Sequence, residues 1–145
     1  PMSLRPFISY PEGPYAAHWL EVIGAADEKP LFAHVNWFQR DDDGRFLWPG
    51  FRENLRALVW LMQLKNGEVT GRQTPVGIVP TQDELDLTGL DIAQEDLDRL
   101  LTIYIDRWRV EMDHRQTHLE QFDGLPEEIW VAHRRIVAAL EAASA

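Results

Sequence analysis

The chain has 145 residues, no cysteine, and a net charge of −10 from 14 Lys and Arg against 24 Asp and Glu. The acid excess argues against nonspecific contact with nucleic acid or an anionic membrane, which needs clustered basic residues. The lack of cysteine excludes a disulfide framework, a thiolate zinc site and a cysteine nucleophile.

An apolar content of 45% with six Trp and six Phe predicts a folded domain rather than a disordered chain. No apolar run approaches the roughly 18 to 20 residues of a membrane span. The first residues lack the basic-then-apolar pattern of a secretory leader. The expectation is a cytoplasmic protein folded as one domain, residues 2–145. Pro1 ahead of Met2 reads as a scar of tag removal, which leaves Met2 as a natural start or as a boundary.

In chain order, Tyr15 to Ile23 has helical spacing, with Trp19, Leu20 and Ile23 on one side and Gly24 as its stop. Leu31 to Phe38 is aromatic and β-branched and predicts a strand. Arg45 to Trp48 predicts a second strand, joined to the first through the turn residues Asp41-Asp42-Asp43-Gly44. Apolar residues at Phe51, Leu55, Leu58, Val59 and Met62 predict a helix to Lys65, stopped at Asn66-Gly67. Thr74 to Pro80 predicts a short β segment. Asp91 with Gln94 reads as a capping box that opens a long helix to about Phe122, carrying Ile92, Leu97, Leu100, Leu101, Tyr104, Trp108 and Met112. Gly124 breaks it. Pro126, Glu127 and Glu128 suit a helix first turn, and Ile129, Ala132, Ile136, Val137 and Leu140 form the next stripe. Residues 141–145 are expected to fray. The fold class is α+β: a small aromatic-rich hairpin or sheet unit flanked by helices, with a helical C-terminal tail.

The charge and the aromatics lie in different halves. Residues 1–80 hold nine acids and eight bases, and residues 81–145 hold fifteen acids and six bases. Eleven of the fifteen aromatics fall between Phe7 and Trp60. The first half therefore reads as a packed site and the second as solvated helices.

Several chemistries fail on spacing. The two lysines, Lys29 and Lys65, do not follow a glycine, so no Walker-type phosphate loop is present. An EF-hand register that starts at Gln39 puts Gly50 where a Glu is required. His114 and His118 share a helix face, but Arg115 stands where a zinc motif needs Glu, so no metal site is expected. His18, His34 and His133 are isolated and expected to pack. No catalytic residue can be assigned.

The informative constellation is Asn36-Trp37-Phe38 followed by Arg45 through Asn54. A purine needs flat apolar walls and a few polar groups at its edge. A carboxamide such as that of Asn54 both donates and accepts. The residues alone admit a ligand pocket or a plain aromatic core.

This stretch resembles the GTP-dependent phosphoenolpyruvate carboxykinases, a family of gluconeogenesis. The matching segments are Asn36-Trp37-Phe38, Asp43-Gly44, Phe46-Leu47-Trp48-Pro49-Gly50-Phe51-Arg52-Glu53-Asn54 and Trp60. Met2-Ser3-Leu4-Arg5-Pro6-Phe7, Ala17-His18-Trp19-Leu20 and Thr74-Pro75-Val76-Gly77 extend the likeness over residues 2–90. Residues 91–145, the acidic helical tail, agree in character. The resemblance implies the C-terminal part of the enzyme, where Phe38, Phe46 and Phe51 would hold a guanine base and Asn54 would bond its edge. It implies GTP and manganese or magnesium for the whole family enzyme, whose phosphate loop, metal ligands and lid lie upstream of the matched region. Arg52 stands where the family has Gly and Leu55 where it has Ser; Arg52 is a candidate anion-binding group.

Three readings follow. The chain is a purine-nucleotide-binding module or keeps a relic pocket, without carboxykinase activity. It is a repurposed small enzyme that uses Arg52, Glu53, His18 and His34. Or it is an interaction module that forms a homo-oligomer or binds a protein partner.

Overall fold

The computed structural model describes residues 7–144. The likeness at Met2 to Pro6 and the last residue, Ala145, lie outside them. The described residues form five α-helices and one two-stranded antiparallel sheet, an α+β fold. They divide into two compact units, one from residues 31–103 and one from the N-terminal 30 residues with residues 104–145.

The second of these contains α1 (Glu12–Ala25), α4 (Ile105–Leu119) and α5 (Glu127–Ala142). Gly13 opens α1 against the backbone carbonyls of Asp123 and Gly124, an approach that leaves no room for a side chain. Gly124 takes φ +71 in the turn between α4 and α5, the left-handed conformation that glycine tolerates best. Helices α4 and α5 pack on each other, and Met112, His133 and Leu140 are buried. Helix α1 is longer than Tyr15 to Ile23 and runs through Gly24, so that glycine is not its stop. Helix α5 also continues past residue 141, to Ala142.

In residues 31–103, α2 (Asn54–Asn66) is followed by a hairpin of β1 (Arg72–Thr74) and β2 (Gly77–Val79), a single 3₁₀ turn (Gln82–Glu84) and α3 (Gln94–Leu101). The strands pair in the register Arg72 with Val79, Gln73 with Ile78 and Thr74 with Gly77. The expected single β segment is thus two short strands around Pro75-Val76. Gly67, at φ +75, caps α2, and its N–H bonds back to carbonyls of the last turn, as the Asn66-Gly67 pair predicts.

Further expectations change. The strand from Leu31 to Phe38 is absent; this stretch has no regular structure, and Leu31 and Phe32 are exposed. A strand needs a partner ladder, and the Asn36 side chain instead accepts the Phe38 N–H at 3.0 Å, which turns the chain at Trp37-Phe38. The hairpin shrinks to one antiparallel bridge, Arg40 to Phe46, around the Asp41–Gly44 turn. Asp41 Oδ1 accepts the N–H groups of Asp43 (3.1 Å) and Arg45 (2.8 Å), so the acidic run is turn chemistry.

The long helix to Phe122 is two helices. Asp91 does not cap it; α3 begins at Gln94 after Ala93. It ends because side chains take its last carbonyls: Thr102 Oγ1 bonds Asp98 O at 2.7 Å, Gln39 Nε2 bonds Arg99 O at 3.4 Å, and Arg72 Nη2 bonds Leu101 O at 2.6 Å. The capping carboxylate is elsewhere: Glu84 reaches back to the Thr81 N–H at 3.1 Å.

The aromatic half is not a packed interior. Leu47, Trp48, Trp60 and Leu97 are the buried apolar residues of this unit. The stripe of α2 faces outward: Leu55, Leu58, Val59 and Met62 are exposed, while Trp60, off the stripe, is buried.

Candidate nucleotide-base site

The residues singled out by sequence come from the miniature hairpin and the start of α2. Phe38 follows the Asn36 turn and is 73% exposed; Phe46 is the bridge residue and is 43% exposed. Their rings meet edge to face, with centroids 6.1 Å apart and planes at 64°. This geometry suits the aromatic quadrupoles. Phe51 begins the turn into α2 and is 96% exposed. Among the described residues no ring contact joins Phe51 to the other two phenylalanines. The structure therefore brings two of the three rings together.

Asn54 is the first residue of α2 and is half-buried. Its Oδ1 accepts the indole N–H of the buried Trp48 at 3.1 Å. Gly50, at φ +89, bends the chain between them, and its carbonyl accepts the Glu53 N–H at 2.8 Å. A side chain at Gly50 would be strained by that backbone.

Three arginines shape the site further; Arg45 belongs to the motif, while Arg40 and Arg56 lie outside it. The Arg40 guanidinium lies over the Phe46 ring, 3.9 Å from its centroid, and bonds Gly44 O at 2.8 Å. It thus covers one aromatic face with a cation. Arg45 bonds Asp96 with two parallel hydrogen bonds of 2.9 Å and reaches Asp41 at 3.0 Å. Arg56 meets Glu53 at 2.5 Å and bonds the carbonyls of Asp86 and Thr88, the latter at 2.9 Å. Arg56 thereby ties the first turn of α2 to the loop after the 3₁₀ turn. Asp96 and Asp86 lie too far along the chain for spacing to reveal them.

The remaining candidates scatter. Arg52 is exposed, and none of the described carboxylates pairs with it. Glu53 is engaged by Arg56. His34 is exposed on the irregular segment, and His18 is exposed on α1 in the other unit. Among the described residues no group of three or more His, Asp or Glu is placed to hold a metal ion. Among the described residues no helix is long and apolar enough to cross a membrane.

A family model for the phosphoenolpyruvate carboxykinase C-terminal P-loop domain matches residues 1–139. The chain is 39% identical over 129 residues to the GTP phosphoenolpyruvate carboxykinase of Thermoplasma volcanium, covering 89% of this chain and 22% of that protein. It is 40% identical over 132 residues to the enzyme of Renibacterium salmoninarum, covering 89% and 22%. It is 43% identical over 132 residues to the mitochondrial enzyme of Mus musculus, covering 89% and 20%. The chain spans about a fifth of the length of these relatives. The phosphate loop in the domain's description has no counterpart in this sequence, whose lysines follow Glu28 and Leu64. The family match over residues 1–139, with 39–43% identity to these relatives over 89% of the chain, places it in the family of GTP-dependent phosphoenolpyruvate carboxykinases.

Proposed function

We propose that this chain carries the base-holding end of a guanine-nucleotide site and does not perform carboxykinase chemistry by itself. The observation that carries the reading is the apposition of Phe38 and Phe46 at 6.1 Å beside a hairpin that leads to the Asn54 carboxamide. The rings supply apolar walls, and the carboxamide supplies a donor and an acceptor for the base edge. Phosphoryl transfer relies on positioning phosphates with metal and cations. The family's groups for that task belong to the part of the enzyme that this chain does not span.

Affinity should be weak. Stacking contributes about 1–3 kcal/mol per base, and a millimolar constant corresponds to about 4 kcal/mol. Calorimetric titration with GDP, GTP and IDP tests the reading. Dissociation constants near millimolar, weakened by Phe46→Ala, are expected. No heat at several millimolar nucleotide would overturn it.

A second reading has its own observation. Leu55 (63% exposed), Leu58 (41%), Val59 (41%) and Met62 (67%) lie at i, i+3, i+4 and i+7 on α2 and form an uncovered apolar stripe. Since the matched relatives are about five times longer than the matched segment, we assign this face to contact with the remaining part of a carboxykinase chain. A 13-residue helix is about 20 Å long, and a self-paired helix of that length falls short of the roughly 800 Å² per partner of a stable dimer. The double substitution Leu58→Glu with Met62→Glu should leave the melting temperature of this chain unchanged. It should abolish its association with the T. volcanium enzyme lacking the matched residues. A homodimer dissociated by the substitutions, or a large loss of stability in the chain alone, would refute this assignment.

A further inference from the structure

Trp48 is buried, at 8% exposure, and its indole N–H points at Asn54 Oδ1 across 3.1 Å. An indole nitrogen can only donate. The atom facing it must therefore be the carboxamide oxygen, and this fixes which end of the amide faces Trp48. Turning the amide over would set N–H against N–H and leave the buried indole without an acceptor.

We propose that Trp48 determines the purine preference of the site by holding the Asn54 carboxamide in one orientation. This inference rests on the base-site reading above. Guanine and hypoxanthine present the O6 acceptor beside the N1–H donor. Asn54 in the observed orientation matches both: its Nδ2–H donates to O6, and the second lone pair of Oδ1 accepts from N1–H. Adenine presents the reverse, an N6 amine beside an N1 acceptor, and is matched only by the inverted amide. Asn54 would touch the base; Trp48 acts through it and is a positioning residue. The Phe rings cannot make this distinction, because every base has a face to stack.

The test is a ¹H–¹⁵N NMR titration of the full chain with GDP, IDP and ADP, as wild type and as Trp48→Phe, which keeps an aromatic ring and removes the N–H. Wild type should bind GDP and IDP at least tenfold more tightly than ADP. The Trp48→Phe variant should lose most of that ratio, mainly by gaining ADP affinity, since its amide is free to invert. Equal weakening of all three nucleotides, or an unchanged ratio, would show a packing role only and overturn the inference while leaving the base site standing. Binding of no nucleotide by the wild type would overturn the base site and the inference together. Should Trp48→Phe fail to fold, the wild-type spectra decide. IDP must move the Asn54 side-chain N–H resonances with the Trp48 indole signal nearly fixed, and ADP must not; the same shift with both nucleotides overturns the inference.

Discussion

Arg45 grips Asp96 with both arms of its guanidinium: Nη1 donates to Oδ2 and Nη2 to Oδ1, each at 2.9 Å. The two residues are 51 positions apart, and the pair fastens the miniature hairpin to α3. Phe46 is the next residue, so the same pair helps to place an aromatic wall. The Arg45 hydrogen bonds hold the Asp96 carboxyl below its ordinary range, and Asp96 holds the guanidinium above its own. A depressed carboxyl contributes stability above the unfolded carboxylate range, and that contribution disappears as pH falls through the folded value. The arginine side chain is 58% exposed, so water screens the pair. Asp96→Asn should lower the melting temperature slightly at pH 7 and weaken nucleotide binding. The difference from wild type should narrow as pH falls below the ordinary carboxylate range. Thermal melts at pH 7 and pH 2 check both statements.

Glu84 is a stronger acid switch. Its Oε1 accepts the N–H groups of Thr70 (3.2 Å) and Gly71 (2.9 Å), and its Oε2 accepts those of Thr81 (3.1 Å) and the Trp60 indole (3.3 Å). Led by the Gly71 and Thr81 bonds, these donors hold the carboxyl at about 2, against an ordinary 4.5. The unfolded chain takes up the proton first, so this contribution is full above about pH 4.5 and fades toward pH 2. Glu84→Gln puts an amide N–H₂ against one pair of donors. The variant should melt about 5–10 °C below wild type at neutral pH, and the two curves should converge near pH 2. A difference that persists unchanged at pH 2 would contradict this.

His133 titrates in the opposite range. It is buried at 4% exposure, and its Nδ1 has no partner among the described residues. Burial, then the charges of Arg115 and Arg134, push its pKa below the ordinary 6.5, with Asp113 opposing them. The unfolded chain therefore binds a proton near pH 6 that the folded chain refuses, and stability falls as pH drops through that window. His133→Leu should be close to neutral at pH 8 and stabilising at pH 5.5. Denaturant titrations at the two pH values, with the midpoint as readout, check the sign.

Gly13 sits inside α1, where alanine is ordinarily about 1 kcal/mol better than glycine. Here a Cβ would come within 2.5 Å of the Gly124 carbonyl oxygen and 2.6 Å of its carbon, both backbone atoms. Backbone cannot rotate aside as a side chain can, and overpacking costs about 1–3 kcal/mol. Gly13→Ala should therefore destabilise by up to about 2 kcal/mol net. Gly24→Ala, with nothing near it, should stabilise by about 0.5–1 kcal/mol. Opposite signs in the two urea midpoints are the diagnostic result.

Much of the candidate site was legible in the sequence because its motif residues are close in the chain. Asn36, the Asp41–Gly44 turn and Gly50 act on backbone within a few positions, and local chemistry places Phe38, Phe46 and Asn54. The supports were not legible. Asp96 meets Arg45, Gln39 meets the end of α3, and Arg72 takes the Leu101 carbonyl over separations of 29 to 60 residues. Nothing in local spacing encodes such partners.

The sequence by itself determined the family, the α+β class, the glycine stop at Gly67, the start of α5 at Pro126-Glu127, and the helical period of α2. Only the tertiary structure decided which face of α2 is covered. The period from Leu55 to Met62 states that one side is apolar, not that this side finds a partner within the chain. Trp60 is buried instead because Gly71 lies against its ring and Glu84 accepts its N–H. The same holds for the helix expected through Tyr104 and the strand expected at Leu31 to Phe38. Helix ends and strand pairing depend on where distant carbonyls and N–H groups find their partners, and those distances exist only in the folded chain.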